Sequence, residues 1–118
     1  MEHERLAGYA YSERPWGDFE QFTLNEPSTV KILSVLPGEE FSLQSHQKRD
    51  EFWRVLSGSG TITLGDAKHE AKEGDEFFIP RTTKHRAEGG GGLRMLEISF
   101  GVFDENDVER FEDKYGRS

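Results

Sequence analysis

Four side chains able to give a lone pair to a metal fall into two short stretches. Gln44, His46 and Glu51 crowd into "LQSHQKRDEFWRVLSG" (residues 43–58), and His85 follows in "GDEFFIPRTTKHR" (residues 74–86). In an extended chain alternate side chains share a face, so Gln44 and His46 point the same way, as does Ser42. After a short turn at residues 47–50, Glu51 opens a new strand with Trp53 and Val55 on its own face and would point into the same interior. An imidazole at His85, where one strand has ended near Pro80 and another begins, could close the shell. One amide oxygen, two imidazoles and one carboxylate, with positions left for water or substrate, suit Zn²⁺, and also Mn²⁺, Fe²⁺, Co²⁺ or Ni²⁺. A neutral amide ligand would leave the ion a strong Lewis acid. The plainer alternative pairs Glu51 with Arg49 or Arg54 and leaves His85 at the surface. His3 and His69, in "MEHERL" and "DAKHEAKEG", read as surface residues.

The elements that would position these groups are short runs rich in β-branched and aromatic residues. They cover residues 19–24, 29–36, 40–46, 51–57, 61–64, 76–79 and 93–100, and Pro and Gly punctuate them at 37–38, 58–60, 65, 74 and 89–92. Closely spaced strands with tight turns predict an all-β sandwich or closed barrel. Residues 89–92, all glycine, read as a hairpin loop rather than a domain boundary. One helix is expected, over residues 104–117 ("DENDVERFEDKYGR"), with Asp104 as cap and Val108, Phe111 and Tyr115 as its apolar stripe.

A chain of 118 residues makes a single domain, 1–118. Its net charge of −8 and pI near 5.0 oppose binding to nucleic acid or an anionic membrane, so neither is expected as a partner. An anionic small molecule would need a local basic cluster. With no cysteine, disulfides and thiolate ligands are excluded. The amino terminus carries no apolar run of signal-peptide length, which makes a cytoplasmic protein the expectation. Mean hydropathy is −0.78, yet nine Phe, two Trp and three Tyr supply large anchors, a modest core that a partner subunit could complete.

Together the two stretches resemble the paired motifs of the cupin superfamily, jelly-roll barrels (double-stranded β-helices) that hold a divalent metal. The first motif's His-x-His, Glu and Gly are matched by Gln44, His46, Glu51 and Gly58, with Gln in the first His place, and the second motif's Gly, Pro and His by Gly74, Pro80 and His85. The second motif's usual trailing Asn is absent, Glu88 and glycines lying there instead. With "RPWGDFEQF", "VKILSVLPG" and the terminal "DENDVERFEDKYGR", the chain is similar over residues 14–117 to the carboxyl-terminal domain of type II phosphomannose isomerases. It departs from that family at "AEGGGGLRMLEISFG", a segment that could border the pocket and alter the substrate.

The resemblance implies metal-dependent interconversion of mannose 6-phosphate and fructose 6-phosphate through an enediol, with one divalent ion, Zn²⁺ first, held by Gln44, His46, Glu51 and His85. Such a reaction needs a base, a cation at the enediolate oxygens and a grip on the phosphate. Arg49 and Arg86 are the first choices for the grip, because they flank ligand positions. Glu97 and Lys31, on strands that could face inward, are the candidates for the base. A homodimer is expected, since edge-strand pairing would cover a small sheet's exposed edge. The alternatives are a cupin that binds metal and sugar without turnover, and a metal-dependent dioxygenase, which Gln44 in place of His disfavours.

Overall fold

The structure, a computed structural model, describes residues 2–115. After a 3-10 turn at Glu2–Arg5, nine strands follow among the described residues: β1 Ala10–Arg14, β2 Gly17–Gln21, β3 Ser28–Val35, β4 Leu43–Ser45, β5 Arg49–Leu64, β6 Ala67–Lys72, β7 Glu76–Ile79, β8 His85–Gly101 and β9 Glu109–Glu112. The organising unit is the antiparallel ribbon of β5 and β8, paired from Arg49 opposite Gly101 to Leu64 opposite His85. Its first half carries β7 beside β5 and β3 beside β8, and its second half carries β6 beside β5 and β4 then β9 beside β8. Folding the ribbon at its middle lays these halves over one another as the two layers of a jelly roll.

The fold line corrects two expectations. Residues 58–60 and 89–92 lie inside β5 and β8, where hairpin turns were expected, and the register slips at Val55/Ser57 and Ser59/Thr61. The glycines serve close approach: Gly58 has φ +87°, and a Cβ there would stand 1.9 Å from the carbonyl oxygen of Gly92. Only side-chain-free backbone lets the ribbon cross itself so tightly.

The expected carboxyl-terminal helix is also absent: residues 109–112 form β9, and residues 116–117 of that expectation lie outside the described residues. Asp104 and Asp107 are the reason. The Asp107 carboxylate accepts from the backbone amides of Gln47 and Lys48, 2.9 Å each, so it caps another turn instead of starting its own helix. Asp104 closes a tight turn, its Oδ1 accepting from the Asn106 amide (2.9 Å). The chain then extends and completes the bare edge of the three-residue β4, with Arg110 opposite Gln44.

Strand alternation sorts the core. Val55, Ile62, Ile79, Leu93 and Met95 pack around Trp53 inside the barrel. Phe52 and Ile98 face the opposite way, where Leu6, Tyr9 and Phe22 of the amino-terminal segment cover them. The β1–β2 hairpin forms a separate two-stranded sheet with Trp16 at its tip, 73% exposed. No helix among the described residues is long and apolar enough to cross a membrane.

Candidate metal centre

His46 sits in the turn after β4, Glu51 near the start of β5 and His85 at the start of β8, and all three are buried. One ligand atom from each lies within 4.8 Å of the others. The Nε2 atoms of His46 and His85 each stand 3.6 Å from a different oxygen of the Glu51 carboxylate. Their other nitrogens fix the tautomer: Nδ1 of His46 is 2.7 Å from the Asp107 carbonyl and Nδ1 of His85 is 2.9 Å from that of Thr83. A carbonyl only accepts, so both protons reside on Nδ1; the His85 Nε2 lone pair faces Glu51, and that of His46 also accepts from Arg49 Nη2 at 3.2 Å. Burial lowers the pKa of both imidazoles below 6.5, against the opposing pull of Glu51, and keeps them neutral.

Nε2 of His85 and Oε1 of Glu51 are buried without a hydrogen-bond partner. Two orphaned acceptors aimed at each other are costly unless a cation lies between them, so the donor set fits a divalent ion. Gln44 is directly opposite His85 in the ladder, and its Oε1 accepts from Ser42 Oγ at 3.2 Å on the same side.

Arg49 is buried in the same place. Its Nε donates to Glu51 Oε2 (3.0 Å), its Nη2 lies 3.2 Å from His46 Nε2, and its Nη1 donates to the Asp104 carbonyl (3.3 Å). The Glu51–Arg49 pair raised as the plainer alternative therefore exists alongside the ligand cluster. Above both opens a pocket of about 290 Å³ lined by Lys31, Gln44, His46, Arg49, Phe103, Glu105, Val108 and Arg110. A larger hollow of about 420 Å³ at the ribbon's fold line, bordered by Ser59, Thr61, Glu70 and Lys72, gathers no comparable set of metal donors.

Glu97 stands between Trp53 and Lys31 in one cross-strand row. It is 7% exposed and accepts from Trp53 Nε1 at 3.2 Å. Burial, reinforced by the negative charge of Glu51 and opposed by Lys31, lifts its carboxyl from 4.5 to about 7. Lys31 Nζ rests 3.9 Å from the centre of the Phe103 ring, with the Arg49 guanidinium 4.4 Å from the same ring.

Arg86 is placed elsewhere. It follows inward-facing His85 and so points outward, where its guanidinium meets Glu40 (3.2 Å), Glu112 (3.0 Å) and the Phe41 carbonyl (3.0 Å). Phe103 and Arg110, which line the pocket, were missed from the sequence. Reading "VER" as alternating strand would have put Val108 and Arg110 on one face; Phe103, in an irregular connection, left no such signal. His69 is exposed as expected, whereas His3 stacks on Tyr9 and bonds to Glu76 (2.8 Å).

Residues 2–113 match the family described as mannose-6-phosphate isomerase C-terminal. Xanthan biosynthesis protein XanB of Xanthomonas campestris pv. campestris is 37% identical over 108 residues, covering 89% of this chain and 23% of that protein. A mannose-1-phosphate guanylyltransferase of Salmonella montevideo is 36% identical over 108 residues, with 89% and 23% covered. The chain thus spans under a quarter of the length of these relatives. A cupin protein from Bacteroides fragilis superimposes with a TM-score of 0.59 at 24% identity, covering 72% of each chain, which establishes the fold. The chain has the cupin fold and belongs to the mannose-6-phosphate isomerase C-terminal family.

Proposed function

We propose that this domain is a metal-dependent sugar-phosphate isomerase interconverting mannose 6-phosphate and fructose 6-phosphate. The observation that carries the reading is the pair of imidazoles whose Nε2 atoms flank the buried Glu51 carboxylate, His85 against its orphaned Oε1 and His46 against Oε2, beside a pocket lined with cations. His46, Glu51 and His85, with Gln44 beside them, would hold one divalent ion, and the two-imidazole, one-carboxylate set favours Zn²⁺ over Mn²⁺, Fe²⁺, Co²⁺ or Ni²⁺. Bound there, the ion would supply Lewis acidity for negative charge developing on the oxygens of C1 and C2.

The reaction consumes nothing: a proton leaves C2 and returns to C1, while a hydroxyl proton passes from O2 to O1. Glu97 suits the carbon-bound proton. A carboxyl near pH 7 is both a competent base and, once protonated, a competent acid at neutral pH. Trp53 fixes its orientation through the indole N–H. Arg49, bonded to Glu51 and His46, holds the ligand carboxylate in place and brings a permanent positive charge to the reacting end. Two copies would pair across β3, whose outer edge is unpaired among the described strands and whose Val30 and Ile32 are 59% and 52% exposed.

The test is a coupled assay for fructose 6-phosphate formed from mannose 6-phosphate by protein reconstituted with Zn²⁺, Mn²⁺, Co²⁺ or Fe²⁺. Metal-dependent turnover that vanishes in His46→Ala is the expected result. Metal-loaded protein that binds the sugar phosphate but never turns it over would make the domain a binding module instead.

A further inference from the structure

The three residues of the ligand cluster are held in different ways. Glu51 lies inside β5, paired with Ile79 on one side and Ser99 on the other, and His85 opens β8 opposite both Leu64 and Gln44. Ladder hydrogen bonds fix the backbone of both. His46 falls one residue beyond the end of β4, in the turn that leads to β5, and no strand pairing includes it. An imidazole on a turn needs another hold if it is to keep a ligand's position. The Thr82 amide supplies one, donating to the His46 carbonyl (2.6 Å). Asp107 supplies two more of different kinds. Its backbone carbonyl stands 2.7 Å from Nδ1 of His46, and its carboxylate accepts from the amides of the next two residues, Gln47 through Oδ1 and Lys48 through Oδ2, 2.9 Å each. One residue thus grips the ring and the backbone that follows it. Asp107 is itself anchored: its amide donates to the Asp104 carbonyl (2.9 Å), which also receives Arg49 Nη1 (3.3 Å), and Arg49 reaches back to Glu51 and His46. Strand β9 begins two residues later by pairing Glu109 with Ser45, the residue before His46.

We infer that Asp107 is a positioning residue for the metal centre: its carboxylate and its carbonyl together set the place and the rotation of the His46 imidazole, so that metal affinity depends on the docking of the carboxyl-terminal segment. The inference rests on the metal-binding reading for the ion alone, since the hydrogen bonds involved lie within the protein. A single hydrogen bond to the turn would leave the backbone free to rotate about it. A carboxylate that accepts from two successive amides removes that freedom, and both bonds are charge-assisted. With the backbone held, the bond from Nδ1 to the Asp107 carbonyl fixes the remaining rotation of the ring and keeps the proton on Nδ1, which leaves Nε2 for an ion. Both Asp107 carboxylate oxygens are engaged by the turn, so Asp107 acts through His46. Sixty-one residues separate the two, and the site is complete only once residues 104–112 have docked against β4.

The experiment pairs Zn²⁺ affinity, measured by competition with a chromophoric chelator, with long-range proton–nitrogen NMR of the imidazoles in metal-free protein. It compares wild type with Asp107→Ala, Asp107→Asn and, as a control in the same segment, Glu112→Gln, whose carboxylate meets Arg86 on the outer face. Asp107→Ala should lose about tenfold to a hundredfold in Zn²⁺ affinity, as removal of a group that orients a metal ligand does. In metal-free Asp107→Ala, His46 should lose its single Nδ1–H pattern while His85, held by the Thr83 carbonyl, keeps its own. Asp107→Asn removes the same charge but keeps one oxygen to accept from the turn, so it should recover part of the loss; Glu112→Gln should match wild type. Should Asp107→Ala not fold, Asp107→Ser, whose short hydroxyl cannot accept from both amides, carries the same test. Zn²⁺ affinity within about twofold of wild type, or an unchanged His46 pattern, would overturn the inference. Equal losses in Asp107→Ala and Asp107→Asn, the mark of charge alone, would overturn it too, as would parallel changes in His46 and His85, the mark of general loosening. If wild type binds no Zn²⁺, the metal-binding reading fails on its own, and the His46 pattern decides whether Asp107 positions the ring.

Discussion

At the glycine-lined fold of the ribbon, β5 and β8 turn Val55, Leu93 and Met95 into the barrel; toward the open end the same faces of the same strands carry Arg49, Glu51, Glu97 and Ser99. All seven are buried, and neither backbone pairing nor alternation distinguishes the two ends. What differs is the cost. Burying an aliphatic side chain stabilises by about 1.5–3 kcal/mol, whereas burying charged groups is unfavourable unless each finds a partner. Trp53 marks the boundary, its ring edge-on to Phe41 and His85 and its N–H bonded to Glu97. The closed end supplies stability that the open end uses to keep carboxylates and imidazoles out of water.

Exchanging the two roles gives the largest expected effect. His85→Ala should abolish stoichiometric metal binding and lower turnover at least a hundredfold, with melting of the metal-free protein little changed. Met95→Ala should keep one metal per chain and cost about 2–5 kcal/mol in denaturant unfolding. Metal loss in Met95→Ala, or a collapse of stability in His85→Ala, would erase the distinction between the ends.

A smaller effect belongs to Glu97. Its folded pKa of about 7 lies above the ordinary 4.5, so the folded protein retains a proton that the unfolded chain has released. Stability of the metal-free wild type must then fall as pH rises from about 4.5 through 7. Glu97→Gln has no such proton to lose. Its stability relative to wild type should therefore grow between pH 5 and pH 8, by on the order of 2–3 kcal/mol in urea titrations at the two pH values. A pH-independent difference would place Glu97 in contact with water.

The smallest effect sharpens the boundary itself. Trp53→Phe keeps a ring but removes the N–H that stabilises ionised Glu97, at a cost of about 1 kcal/mol. Because that bond lowers the Glu97 pKa, its loss should move the acid limb of the rate–pH profile upward. An unmoved limb would detach Glu97 from proton transfer.

The grouping of the candidate metal residues was legible because alternation and a short turn suffice to aim Glu51, Trp53 and Val55 inward and Gln44 and His46 to one side. The strands at 29–36, 76–79 and 93–100 were legible from their branched and aromatic runs and correspond to β3, β7 and the second half of β8. Three features were not. Strand β6 reads "AKHEAK", almost wholly exposed, and exists because β5 offers it backbone hydrogen bonds. The glycines of β8 look like a loop, since close approach of two backbones leaves no mark on one stretch alone. In residues 104–115 a helix-like pattern lost to tertiary demands: the Asp107 carboxylate is claimed by the turn at residues 47–48 and β9 by the edge of β4. That last substitution hid Arg110, whose side of the pocket follows only from strand geometry.

The metal centre is tested by X-ray absorption at the metal edge of protein reconstituted with one equivalent of Zn²⁺, alongside its metal content. One ion per chain coordinated by two imidazoles and oxygen donors is expected, with stoichiometric binding lost in His46→Ala and in His85→Ala. An ion without imidazole scattering in wild type, or an unchanged spectrum and content in both variants, would contradict it.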